Sequence, residues 1–190
     1  MLQLMRKWVS ERRLLALRAT RRLARQEDGA AAVEFGMVAA PFLLLTFAIM
    51  ETSIVFFAGQ ALETAVADSA RLIMTGQAQA QGLNQATFKQ AVCAKIRGLF
   101  DCANGVYVDV KTYPAFANVN LTPPLDANGN FQNNMTYQPG GAGDIVVVRL
   151  FYQWPIYVSL LQNMSGNKRL LIATAAFRNE PFGSTAPPPP

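Results

Sequence analysis

The 190-residue sequence contains no histidine and only two cysteines, and charged residues make up 15% of it. Without histidine there is no His-based triad, no imidazole metal ligand and no side chain whose ordinary pKa lies near neutrality to act as general base. Two thiols alone make a poor metal site. An enzyme would be left with carboxylates, and no P-loop, dinucleotide fingerprint or nucleophile elbow accompanies them. The glycine-rich PGGAGD at 139–144 has the composition of a turn and not of a phosphate cradle. These absences point to a protein that is not an enzyme and needs no cofactor.

The charge that is present is unevenly placed. Residues 1–28 carry Arg6, Lys7, Arg12, Arg13, Arg18, Arg21, Arg22 and Arg25 against Glu11, Glu27 and Asp28, whereas the remainder holds nine charges of each sign. A nucleic-acid-binding protein would more often carry such a surplus on its folded body. A short basic arm ahead of an apolar run instead fits a chain whose N-terminus stays cytoplasmic, because Lys/Arg-rich flanks resist translocation. The run itself is GAAAVEFGMVAAPFLLLTFAIM at 29–50, with Glu34 its single ionisable group. As a helix it extends roughly 33 Å, which matches the hydrocarbon thickness of a bilayer. Ala32, Gly36 and Ala40 recur at four-residue spacing, which suits close helix approach in lipid and equally suits a compact helix. Pro41 removes one backbone donor near mid-span. A charged residue at the centre of a spanning helix costs roughly 2.5–3.5 kcal/mol, so Glu34 either reaches to the headgroups or has a partner.

Beyond Glu51 the pattern stays helical to about Gly76 and becomes amphipathic: Leu62, Ala65, Val66, Ser69, Ala70 and Ile73 share one side. One helix from near Gly29 to Met74 accounts for both halves, with Glu51 hydrated at the outer interface and Asp68 able to pair with Arg71. A turn at Gly76–Asn84 leads to a second helix at Gln85–Gly98. Strands are expected at GVYVDVKTY, IVVVRLFYQW and RLLIATAAFR, with IYVSLL extending the sheet after Pro155. The Asn-, Pro- and Gly-rich stretch Pro114–Gly143 reads as an exposed, mobile connection. Cys93 and Cys102 suit a disulfide in an oxidising compartment, on condition that the helix breaks after Gly98 so the alpha carbons can come within about 7 Å.

The string GAAAVEF, with Gly29 five residues before Glu34 and then Phe35, resembles a prepilin peptidase site. Together with Pro41, Glu51 and Ala70-Arg71 it resembles the TadE-like family of tight-adherence pilus proteins over roughly 26–76. The resemblance implies peptidase cleavage between Gly29 and Ala30, with Glu34 neutralising the new amine and aligning subunits. Phe35, where the major pilins of this system commonly have tyrosine, suits a minor pseudopilin. The implied partners are the prepilin peptidase, other tight-adherence pilus subunits, inner-membrane assembly components and membrane lipid, with no nucleic acid. The implied place is the bacterial inner membrane, single-pass, with the head periplasmic or extracellular.

The expected architecture is therefore α+β and pilin-like. A basic leader (1–28) precedes a transmembrane and spine helix (29–76), an antiparallel-sheet head (77–183) and a Pro-rich tail (184–190). Two other readings remain open. One is an uncleaved single-pass scaffold or partner-binding protein of the same secretion system; the other is a secreted hydrolase whose signal peptide ends near Gly59–Ala61.

Overall fold

The computed structural model describes residues 28–96, 98–158, 161–163 and 167–183; the basic leader and the Pro-rich tail expected from sequence lie outside this set. The dominant element is α1 (Asp28–Met74), followed by a single helical turn, α2 (Gln77–Ala80), and by α3 (Gln85–Lys95). Three strands complete the fold: β1 (Val106–Tyr113), β2 (Ile145–Pro155) and β3 (Lys168–Arg178). They form one antiparallel sheet in the order β1-β2-β3. The α+β layout of one long helix and an antiparallel sheet is the expected one. By its internal contacts the chain divides into two units, residues 1–47 and 48–190.

In the first unit α1 is apolar and almost wholly exposed, with Phe35, Met37, Val38, Phe42 and Leu45 all bare. Pro41 lies inside the helix, which continues through it. The second unit contains the head. There Val55, Ala58, Leu62, Ala65, Val66, Ala70 and Ile73 recur every three or four residues and are buried. They belong to one core with Phe88, Val92 and Ile96, and with Val106, Val108, Val110, Val146, Val148 and Leu150 of the sheet. Alternation along each strand sends these residues to one face.

The helix pairing anticipated for Asp68 is different: its carboxylate lies 4.0 Å from Lys95 of α3, and no ion pair to Arg71 occurs among the described residues. Asn84 starts α3, its side chain accepting from the Thr87 N–H while the Thr87 hydroxyl accepts from the Asn84 N–H. The helix ends at Lys95, three residues before the expected limit. That ending brings Cys93 and Cys102 together in a disulfide with alpha carbons 5.8 Å apart. At Gly76, φ is +76° and a Cβ would collide with the Phe182 ring, so glycine is required where α1 stops.

The connection after β1 is not the free excursion expected of it. Thr136–Gln138 lies along the outer edge of β1, the Val110 N–H donating to Thr136 O at 2.8 Å and the Gln138 N–H to Val110 O at 2.8 Å. Phe131 covers the sheet face opposite the core, its ring 4.7 Å from Tyr107 and 5.9 Å from Phe151. Under this cover Asp109 and Arg149, cross-strand neighbours, form an ion pair at 2.8 Å with side chains 2% and 8% exposed. Asp109 also accepts from the Thr136 N–H and hydroxyl, and Lys111 stands 3.2 Å away. Arg149 donates to Thr122 O at 3.1 Å. Burial pushes the Asp109 carboxyl up. The Thr136 and Arg149 hydrogen bonds and the charge of Lys111 outweigh that and hold it below the usual carboxylate value.

Breaking a buried pair by removing one partner leaves the other charge uncompensated, a loss of about 3–5 kcal/mol. Asp109→Asn should therefore destabilise the head by about that amount in chemical denaturation and expose 114–144 to protease. Because the folded carboxyl titrates low, its stabilisation is present above an unfolded pKa of about 3.9 and is lost only as pH falls through the lower folded value. Acid titration of the wild type should show this loss below about pH 4, and Asp109→Asn should lack that component. Reducing the disulfide should cost a further ~2–3 kcal/mol, read as a lowered denaturation midpoint in reductant.

Candidate functional site

The residues singled out by sequence lie on α1. Gly29, Ala30, Glu34 and Phe35 are all exposed, and Phe35 is 74% accessible. Nothing lies within 4 Å of the position a Cβ would take at Gly29 or Gly36. Glu34 makes no hydrogen bond or ion pair among the described residues. The helix therefore presents a bare carboxylate on an apolar surface long enough to cross a bilayer. No cluster of three or more metal-ligating side chains occurs among the described residues.

Glu51 is a different kind of acid. Instead of being hydrated, as expected, it is 8% exposed. Its two carboxylate oxygens accept separately, from the Tyr157 N–H at 2.6 Å and from the Val158 N–H at 2.8 Å. The local sequence explains why those donors are free. Pro155 is the last residue of β2, and the Ile156 N–H closes the β2–β3 connection on Asn167 O at 3.0 Å. The chain then leaves the sheet, so Tyr157 and Val158 have no ladder partners. IYVSLL accordingly does not extend the sheet at its described positions, correcting the expected strand. Burying an N–H without an acceptor costs about 1–3 kcal/mol, and a carboxylate is the strongest acceptor available.

A second bond fixes the other end of the head: the Glu180 N–H, just after β3, donates to Met74 O at 2.8 Å. Between Glu51 and Met74 the helix rises about 35 Å, and an eleven-residue strand extends about 36 Å. The helix, β2 and β3 are thus matched in length and tied at both ends. Sequence reading marked Glu51 as a shared feature of the helix but did not find its role. The signal was Pro155, which frees donors that something must accept.

Residues 29–71 match the family model described as TadE-like protein. The matched stretch includes Gly29, Glu34, Pro41, Glu51 and Arg71, and lies wholly within α1. No curated protein and no solved structure matches the chain. The TadE-like match connects the helix with tight-adherence pilus assembly.

Glu51→Ala leaves two N–H groups without an acceptor and should cost the head about 2–3 kcal/mol, with earliest proteolysis in 156–163. Glu51→Gln keeps one acceptor oxygen and should recover part of that loss. Limited proteolysis with mass mapping, beside thermal melts of both variants, distinguishes these outcomes.

Proposed function

We propose that the chain is a minor pseudopilin-like subunit that assembles or anchors a tight-adherence pilus. Its α1 carries the processing and alignment chemistry and its head presents the partner surface. The observation that carries this reading is the TadE-like match over 29–71 on a helix whose only acid between Asp28 and Glu51 is Glu34, which has no partner among the described residues. The prepilin peptidase cuts between Gly29 and Ala30 on the cytoplasmic side of the inner membrane, and Phe35 follows the acid of its recognition string. The Ala30 amine becomes a cation next to the lipid, and Glu34 is its counter-charge. Pairing the two removes the cost of leaving either alone in low dielectric. When the amine belongs to one subunit and the carboxylate to its neighbour, the pair sets their register.

The partners on this reading are the peptidase, other tight-adherence subunits and inner-membrane assembly components. A second reading keeps the leader attached and makes the chain a single-pass scaffold of the same system. Its support is that the head is completed by Glu51 whether or not the leader is removed.

Sequencing the mature N-terminus from cells with active prepilin peptidase should give Ala30; Met1 supports the scaffold instead. Glu34→Gln keeps the shape and removes the charge, so pilus yield should fall at least about tenfold while the chain stays in the membrane fraction. Unchanged piliation would remove the alignment role.

A further inference from the structure

We infer that one end of the head is a lipid-contacting surface, where Tyr157, Lys168 and Arg169 meet the phosphate-bearing headgroups of an anionic bilayer. The inference rests on α1 being a spanning helix. Two hydrogen-bonded ties decide which end. Glu51 binds the segment that follows β2, and Met74 binds the segment that follows β3. The strands therefore run alongside the helix, with Pro155 and the start of β3 at the Glu51 end. Lys168 stands opposite Pro155 and Arg169 opposite Trp154 in the β2–β3 register. Both cations lie at the end of the head adjoining Met50, the last residue of the apolar run.

Three observations make this end suitable for lipid. First, exposed apolar surface does not stop at Glu51: Ile54, Phe56 and Phe57 on α1 are 47%, 64% and 67% accessible. Lipid-compatible surface thus overlaps the level of Glu51 by more than one turn of helix. Second, Tyr157 is 77% exposed although its backbone is pinned to Glu51. An apolar ring with a polar tip, held at that level, is the side chain enriched at membrane–water interfaces. Third, Lys168 and Arg169 are exposed and have no ion-pair partner among the described residues. Of the acids near this end, Glu51 has both oxygens occupied by N–H donors, and Asp126, whose loop lines a pocket with Lys168, accepts from Asn128, Asn130 and Gln132. The surface is therefore cationic with an aromatic rim, which an anionic leaflet attracts within a Debye length. A two-fold contact with a second copy would instead set like charges against each other.

The test uses the full-length chain at one copy per lipid nanodisc, in phosphatidylcholine alone or with phosphatidylglycerol added. Tyr157→Trp serves as the reporter, read as the difference from the parent. Two quenchers are compared: a lipid brominated near the glycerol end of its chains, and acrylamide in the water. In anionic discs the brominated lipid should quench the reporter and acrylamide should not. Lys168→Gln with Arg169→Gln should reduce lipid quenching about twofold in anionic discs and leave it unchanged in phosphatidylcholine. Because the Tyr157 ring packs little, the reporter's thermal midpoint should equal that of the parent. A reporter open to acrylamide and untouched by brominated lipid, in chain that resists alkaline carbonate extraction, overturns the lipid surface and leaves the spanning helix standing. Extraction by carbonate overturns the spanning helix itself. Shielding that appears only at two copies per disc assigns the surface to a second copy and overturns the lipid reading.

Discussion

The head is organised around a single carboxylate. Glu51 lies on a helix that joins the rest of its unit mainly through apolar contacts, which are strong and non-directional. By accepting the N–H groups of Tyr157 and Val158 it adds direction, fixing where along the helix the β2–β3 connection sits. The bond from Glu180 to Met74 fixes the other end, and between the two the valines of β1 and β2, with Leu171 and Ala173 of β3, share one core with Val55, Ala58, Leu62, Ala65, Val66, Ala70 and Ile73 of α1. An acid is well suited to this position. Two adjacent backbone donors can each take one oxygen, whereas a hydroxyl or amide offers a single oxygen to share.

The sheet's two faces are filled by different physics. The face toward α1 is apolar, with aliphatic side chains joined by Tyr152 and Trp154, and follows from strand alternation. The opposite face holds the Asp109–Arg149 pair with Val147 and Phe151, sealed by Phe131 and Thr136. A buried ion pair contributes little net stability over an apolar equivalent, but it is intolerant of a missing partner. Its effect here is positional. Asp109 accepts from Thr136 and Arg149 donates to Thr122, so two distant points of the long connection are tied to adjacent strands.

This division explains how far the sequence could be read. The helix and the three strands are legible because their periods differ and each buries a regular set of residues. The Gly29–Phe35 string and Glu34 were recognisable because a charge inside an apolar run has few explanations. What alternation cannot give is the nature of the cover over a strand face. Asp109 and Lys111 look alike in the pattern of β1, yet Asp109 is buried and Lys111 only partly so. Thr136–Gln138 pairs with an edge strand from within a stretch that has no period at all. IYVSLL has strand composition, and only Pro155 betrays that its donors must turn elsewhere. Glu51 could be seen as one more acid of the helix, but its acceptors' partners lie over a hundred residues away.

The order of the sheet leaves its two borders unequal. One border, β1, is closed by Thr136–Gln138 and by the Gln85 side chain donating to Val108 O. The other, β3, has eleven residues and, among the described residues, pairs only with β2. Its ends carry Lys168, Arg169 and Arg178, and two strands of this kind pairing antiparallel would set cation against cation. Basic residues at a sheet margin act as guards against unintended strand addition. Electrostatic repulsion of this kind disfavours pairing between two copies without closing the border to a partner of opposite charge.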